Sequence, residues 1–452
     1  MNNNCFDLVV VGAGPAGVMA AKTASENGLR VALLERKRDI TTIRRACATM
    51  LVLESDFFCG ERMYFSQETK RMVFPLNGFS VSYEGPYKNF FGWHIYSPNG
   101  KSYIRVGNYE ENIKKGEVGR LSIVYDKGRL LEGILEDATA CGLKVFPGTN
   151  VVNLEKHKDY VQVFSHEGLM FKAPFVIAAD GVNSRIAKVL SLNEKRTFYG
   201  TLVCINFYLT GVKLPHQEIF ITAKGVDPQC KIPYSHFILP SVYEGGDYVV
   251  NIGGVLDTRI NYLERMNFFI YESPFSHWFE DPRINRKTAC VENIWSPLDE
   301  PFKDNVLFAG DAAWTQEAET TGALMSGLKA ASAVIVALKN GALNREGVLS
   351  YINWWGKAFP GSHDYRHYLR GFALSNLFNE EDANYLYSLI KEPLPYNLNP
   401  FKLSGNMNMA LEKEMPKIKR ERPEIISKFQ SIINVPLDTL LASRIRGCFP
   451  NR

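Results

Sequence analysis

Three glycines and one glutamate carry the clearest chemistry in this chain. In the run Phe6-Asp-Leu-Val-Val-Val-Gly12-Ala-Gly14-Pro15-Ala16-Gly17 an apolar strand feeds directly into a GxGxxG turn, and small residues continue as a helix to residue 29. Gly12 permits the tight turn, Gly14 lets a diphosphate approach the backbone, and Gly17 lets helix and strand pack closely. The helix N-terminus adds free amides and a partial positive charge. Glu35 ends a second apolar strand over 30–34, eighteen positions beyond Gly17, and can accept hydrogen bonds from ribose hydroxyls. Strand, turn, helix, second strand and acidic end together make the pattern a dinucleotide requires.

Two later segments repeat the theme of an apolar strand that ends in an acidic turn. The strand over 171–179 runs into Asp180-Gly181-Val-Asn-Ser-Arg185. Asp180 there suits caging of backbone amides or of a ribose, and Asp-Gly after a strand also reads as an ordinary turn. Asn305-Val-Leu-Phe-Ala-Gly310-Asp311-Ala-Ala313 follows, and a long helix of small residues begins at Thr320. Asp311 suits a ribityl hydroxyl. The amides near Thr321, Gly322 and Ala323 suit the N1/O2 edge of a flavin, where negative charge gathers on reduction. The alternative for this piece is a buried strand with an Asp N-cap.

The elements that must position these residues are legible in outline. Segments between 70 and 106 read as β, with Asn-Gly turns at 77–78 and 99–100. A helix over 126–141 carries Leu130, Leu131, Ile134, Leu135 and Ala138 on one face and stops at Gly142. Strands follow over 144–146, 151–155 and 160–164. Residues 191–290 read as an antiparallel sheet that joins the 70–106 strands. Its aromatics Phe207, Tyr208, Phe220, Tyr234, Phe237 and Tyr248 suit an apolar substrate or ordinary sheet packing. From 341 onward the chain reads as helices and turns, 380–390 being clearly amphipathic.

With 452 residues, 46% of them hydrophobic, there is ample material for a large core in two or three units. A net charge of +4 gives no reason to expect a nucleic-acid partner. The eight cysteines include no CxxC pair, which argues against a disulfide framework, a cysteine-held cluster or a metal site and implies a reduced, cytoplasmic setting. No secretory signal is visible at the start, and no run of eighteen apolar residues suggests a spanning helix. Lys417, Lys419, Arg420 and Arg422 form a basic cluster that reads as a solvated helix face or as a dock for an anionic membrane or an acidic donor.

Gly12-Ala-Gly-Pro-Ala-Gly17 with Glu35, Ala179-Asp-Gly181 and Phe308-Ala-Gly-Asp-Ala-Ala313 together resemble the FAD-dependent oxidoreductases of the para-hydroxybenzoate hydroxylase fold, over most of residues 5–340. The branch they are most similar to is the geranylgeranyl reductase family, which saturates carbon–carbon double bonds. Cys47 after the second strand, Pro233-Tyr-Ser-His-Phe-Ile-Leu-Pro240 and the aromatic helical C-terminus carry that resemblance.

The resemblance implies an α/β fold: a discontinuous FAD-binding Rossmann-like domain (glutathione-reductase-like; 1–70, 107–190 and 291–340), an inserted antiparallel β substrate domain (71–106 and 191–290) and a helical C-terminal region (341–452). For FAD it implies contacts from Gly12, Gly14, Pro15, Ala16, Gly17, Glu35, Arg36, Arg45, Ala46, Lys127, Asp180, Gly181, Gly310, Asp311, Thr321, Gly322 and Ala323. The Arg that the family usually has at the start of the middle helix appears here as Lys127, or shifted to Arg129. The family's usual proline turn after Gly-Asp is replaced by an acidic one with Glu317 and Glu319, facing the flavin or a substrate entrance.

A reductive reaction needs a proton donor beside the hydride, and the candidates are Cys47, Tyr234 and His236. Arg44 and Arg45 precede Cys47 and suit activation of its thiol. Cys47 also reads as a small buried hydrophobe, and His236 as a core histidine. No second GxGxxG unit is present, so electrons would come from transiently bound NAD(P)H or a redox protein, and the other partner would be an apolar small-molecule substrate. An FAD monooxygenase or halogenase-like tailoring enzyme, and a FixC-like electron-transfer flavoprotein subunit, are the alternatives. Trp314 where hydroxylases place His, and the absence of a Trp-x-Trp-x-Ile-Pro segment, move weight toward reduction.

Overall fold

Leu8–Val11, Val31–Glu35, Phe175–Ala178 and Val306–Phe308 are buried at every position, as strands covered on both faces must be. In the computed structural model, which describes residues 4–230, 232–314, 319–375 and 378–434 together with 436 and 439, they lie side by side in one sheet. The order is Lys144–Pro147, Val31–Glu35, Leu8–Val11, Phe175–Ala178, Val306–Phe308 and Phe302–Lys303, parallel except for the last pair. Val11 pairs with Leu34 and with Ala178, and Ala178 with Phe308. This register brings the three acidic turns to one edge of the sheet, at the carboxyl ends of adjacent strands, where open α/β sheets bind their ligands.

Helices Pro15–Glu26 and Glu319–Lys339 pack closely because both are built from small residues. A Cβ on Gly327 would stand 2.1 Å from the carbonyl oxygen of Ala16. Glu319–Lys339 is the one described helix long and apolar enough to cross a membrane, and here it forms the buried centre of the core. On the other flank of Pro15–Glu26 lies Lys127–Ala140. Asp126 caps that helix by accepting from the amides of Gly128 (2.8 Å) and Arg129 (3.2 Å), and Gly142 ends it at φ +91°.

Two expectations change at proline and at the small sheets. The strand expected over 171–179 is two strands, Met170–Ala173 and Phe175–Ala178. Pro174 between them has no amide to give a ladder, and the chain passes there from a three-stranded antiparallel sheet into the parallel one. Of the segments expected to join the 191–290 sheet, or roof, only Trp93–Tyr96 and Tyr103–Val106 do so. Tyr64–Ser66, Arg71–Phe74 and Phe79–Ser82 pair among themselves and pack on Lys127–Ala140.

The roof has seven strands in the order Phe279–Trp295, Phe198–Val212, Tyr248–Val255, Pro233–Pro240, Phe220–Val226, Trp93–Tyr96 and Tyr103–Val106. One face buries helix Tyr262–Tyr271 in a cluster with Phe207, Ile221, Ile238 and Ile252. Against the other face, carrying Trp93, Tyr208, Phe220, Leu239 and Val249, pack Leu386, Leu389, Leu411, Ile418 and Ile425 of the C-terminal helices. Those helices are clipped together by Asp382. It is fully buried, receives Arg422 at 2.8 Å and Lys428, and completes a capping box with Asn379.

Candidate functional site

The nucleotide cradle begins with what a side chain would hit. Gly12 sits at φ +98°, and a Cβ there would lie 2.3 Å from the carbonyl oxygen of Ala179. A Cβ on Gly17 would lie 1.8 Å from the carbonyl oxygen of Gly12. Around Gly14 nothing stands within 4 Å. The turn is therefore pinned on both sides and open in the middle, and with Pro15 opening the helix and no side chain capping it, the first amides face that opening. Buried Glu35 fixes the turn by accepting from the amides of Ala13 (2.7 Å) and Lys37 (2.9 Å), while Arg36 beside it is exposed. A carboxylate has lone pairs left after two such bonds. Asp180 accepts from Ser184 Oγ at 2.6 Å and from the amides of Arg185 (2.8 Å) and Ile186 (3.2 Å). Of its two readings, the amide cage is the one formed, with Gly181 at φ +86° turning the chain behind it.

The third turn closes the far end. Gly310, at φ +62°, donates to Ser326 Oγ at 2.8 Å and brings Asp311 over the helix Glu319–Lys339. In that helix's first turns Thr321 is buried and donates to the carbonyl oxygen of Val52 at 2.7 Å, with Gly322 and Ala323 buried beside it. Arg45 bridges the turn to the roof: its guanidinium pairs with Glu292. Burial works against its charge, yet Glu292 and then Asp311 outweigh that and raise its pKa. Of the acidic turn, Glu319 lies in the helix's first turn, and Glu317 lies outside the described residues.

Cys47 meets the roof at its polar centre. Asn206 donates to the Cys47 carbonyl oxygen at 3.1 Å and accepts from Asn251 at 2.6 Å, and the amide of Ala46 donates to the Ala289 carbonyl at 3.4 Å. The ammonium at the thiol belongs to Lys127, 3.7 Å from Sγ. This corrects the expectation for Arg44 and Arg45, since Arg44 is exposed and Arg45 is turned to Glu292. Tyr125 is fully buried beside this group, next to Thr320, and burial followed by the nearby Cys47 pushes its hydroxyl pKa well up.

A protein-family model described as an FAD binding domain matches residues 6–225. The digeranylgeranylglycerophospholipid reductase of Methanococcus vannielii is 24% identical over 434 residues, covering 93% of this chain and 98% of that protein. Digeranylgeranylglycerophospholipid reductase 2 of Methanosphaera stadtmanae is 28% identical over 77% of this chain and 82% of its own length. Among solved structures, a geranylgeranyl bacteriochlorophyll reductase-like protein from Thermoplasma acidophilum superposes with a TM-score of 0.67 at 15% identity, covering 95% of this chain and all of that one. The chain carries an FAD binding domain and is similar along most of its length to digeranylgeranylglycerophospholipid reductases. A flavin-dependent brominase shares the fold at a TM-score of 0.57 and 14% identity, over 91% of this chain and all of that one.

The protein is an FAD-dependent oxidoreductase, and the cradle fits the cofactor on its own terms. The opening at Gly14 suits the diphosphate, Glu35 the adenosine ribose and Asp311 the ribityl chain, and the helix at Thr321 to Ala323 suits the pyrimidine edge of the ring. Once reduced, FAD supplies a hydride.

Two of the three proton-donor candidates lie across the sheet from Cys47. Thr288, Asn206, Asn251, Phe237, Thr222 and Ile95 stand directly opposite one another in successive strands and so project from one face, the face that meets Cys47. Tyr234 and His236 alternate with Phe237 and project from the other. His236 stacks on Phe269 with ring centroids 3.8 Å apart, and Tyr234 packs 5.4 Å from it. Neither touches the cofactor side. The positions that do face it are Ser235, Phe237 and Leu239. Asn206 and Asn251 are functional candidates the sequence reading missed, although each is a lone polar break in an apolar strand.

Buried His236 carries a pH signature instead. Desolvation lowers its pKa from 6.5 to about 3. Between those values the unfolded chain binds a proton that the folded one does not, so this group's contribution to stability is intact above pH 6.5 and falls as the solution is acidified toward 3. The slope is about 1.4 kcal/mol per pH unit. Urea unfolding of His236→Leu compared with the parent at pH 7 and pH 5 should show a smaller acid loss in the variant, and equal losses would refute this account.

Proposed function

We propose that this protein saturates carbon–carbon double bonds in the isoprenoid chain of a lipid, with Cys47 as the proton donor and Lys127 as the cation that stabilises the thiolate left behind. The observation that carries the reading is the division of the roof's inner face. A polar row of Thr288, Asn206 and Asn251 meets Cys47, and an apolar stretch of Trp93, Tyr208, Phe220, Leu239 and Val249 runs on beneath the C-terminal helices. A proton source beside an extended apolar face suits a hydrocarbon substrate whose alkene must reach a proton. The names of the relatives, digeranylgeranylglycerophospholipid reductases, supply the substrate class.

Electrons enter from outside, by NAD(P)H or a reduced redox protein, because the chain carries one dinucleotide motif and that one serves FAD. Lys417, Lys419 and Arg420 are exposed on helix Met415–Glu421 and support contact with an anionic membrane surface from the cytoplasmic side, whereas Arg422 turns inward to Asp382.

The test is anaerobic: reduce the bound flavin, then add a geranylgeranylated lipid or its fully saturated counterpart. Reoxidation by the unsaturated lipid alone is the expected result. Reoxidation by oxygen only, with substrate-dependent hydroxylation or halogenation, would overturn the reading in favour of a monooxygenase or halogenase.

A further inference from the structure

Two cysteines that lie far apart in the chain stand opposite one another in the roof. Cys204 of Phe198–Val212 pairs in register with Cys290 of Phe279–Trp295. Directly opposed residues of an antiparallel pair have Cα atoms about 4.5–5.5 Å apart, inside the range of about 4.4–6.8 Å that disulfides span. Opposed side chains project from the same face, and the Cys204 thiol hydrogen-bonds the Cys290 sulfur. Across Cys204 from Cys290 stands Gly253, where a Cβ would come within 3.2 Å of Cys204 Sγ. The missing side chain leaves that sulfur room to turn.

The pair is placed for exchange with solvent. Phe279–Trp295 is the edge strand of the sheet, with no further strand beyond Cys290 among the described residues, and Cys290 is half-buried on it. Two charged groups face Cys290: Glu292, to which its thiol donates at 3.4 Å, and Arg45, which pairs with Glu292 from the loop above. The hydrogen bond from Cys204 lowers the Cys290 thiol pKa, and Arg45 lowers it further, against burial and Glu292. A thiol shifted in that direction is the attacking member of a pair.

We propose that Cys204 and Cys290 form a redox-active dithiol that exchanges with the disulfides of low-molecular-weight thiols, independently of the flavin reaction. The Cys290 thiolate attacks one sulfur of the small disulfide and expels one thiolate. Cys204 loses its proton to solvent, attacks the Cys290 sulfur of the mixed disulfide and expels the second thiolate. The protein dithiol is oxidised by two electrons, one Cys204–Cys290 bond forms, and the small disulfide leaves as two thiols. Because Arg45 faces Cys290, Glu292 and Asp311 together, closing the bond removes one anionic partner from the cation beside the ribityl anchor.

The holoprotein, incubated with graded ratios of oxidised to reduced glutathione, acid-quenched, alkylated and digested without reduction, should yield a peptide linked through Cys204 and Cys290. The linked peptide should rise with the oxidised fraction, vanish with dithiothreitol and shift the bound flavin's visible spectrum as it forms. Cys290→Ser, its folding verified by retained flavin absorbance, should lose the linked peptide entirely. Cys204→Ser should stop at a glutathione adduct on Cys290. Absence of the linked peptide at every ratio, or a glutathione adduct on Cys290 of the parent that never resolves, would overturn the proposal.

Discussion

Cys47→Ala is expected to leave the protein yellow and to slow reoxidation of its reduced flavin by an unsaturated isoprenoid about a hundredfold or more, the usual contribution of a positioned proton donor. Cofactor binding should survive because the segment is held by main-chain bonds, Asn206 to the Cys47 carbonyl and Ala46 to Ala289, that do not need the thiol. Reoxidation by oxygen needs no proton from this side chain and serves as the internal control. Stopped-flow absorbance on the anaerobic enzyme reads both rates. Unchanged reoxidation by the alkene would remove Cys47 from the reaction. Lys127→Met should give a smaller loss in the same assay, since its ammonium acts on the thiol from 3.7 Å.

Gly17→Val should produce a colourless and destabilised protein. The added Cβ would need the place of the Gly12 carbonyl oxygen, 1.8 Å away, which is main chain and cannot swing aside, and Ala179 closes the same space at 3.3 Å. Overpacking against an immovable neighbour costs roughly 3 kcal/mol. The turn that presents the amides would be displaced with it. Gly14→Ala separates folding from binding: its backbone, at φ −73° and ψ 177°, suits any residue, and the new methyl enters open space. That variant should melt like the parent in its apo form yet retain less FAD. Equal flavin content in parent, Gly14→Ala and Gly17→Val would mean the cofactor lies elsewhere.

How much of this was legible before the fold was known depends on the range of the signal. The cofactor cradle was readable because each piece is local: Gly12, Gly14 and Gly17 lie in one turn, and Asp180 and Asp311 each end an apolar run. Only the parallel register, with Val11 beside Ala178 and Ala178 beside Phe308, shows that they meet. The reaction side was less legible because it is assembled by sheet alternation. Choosing Tyr234 and His236 rather than Ser235 and Phe237 is a shift of a single position, and in a strand that reverses the face of every side chain. The cation at Cys47 was misassigned for a related reason. Arg44 and Arg45 are neighbours in sequence, while Lys127 arrives from a helix eighty residues on. The three-stranded sheet over 64–82 carries the same β-branched and aromatic pattern as the strands that do enter the roof, so composition had nothing with which to separate them.

The Asp382 clip has a consequence for how such a protein diversifies. The residues of the cofactor cradle and those that touch Cys47 lie before residue 330, while the cover packed on the roof's apolar face is built from helices after 380 and held by one buried carboxylate gripping Arg422 and Lys428. Cofactor cradle and apolar cover are thus written in separate paragraphs of the gene. Changing the grip of that single clasp would loosen the cover without touching the turns that form the cradle.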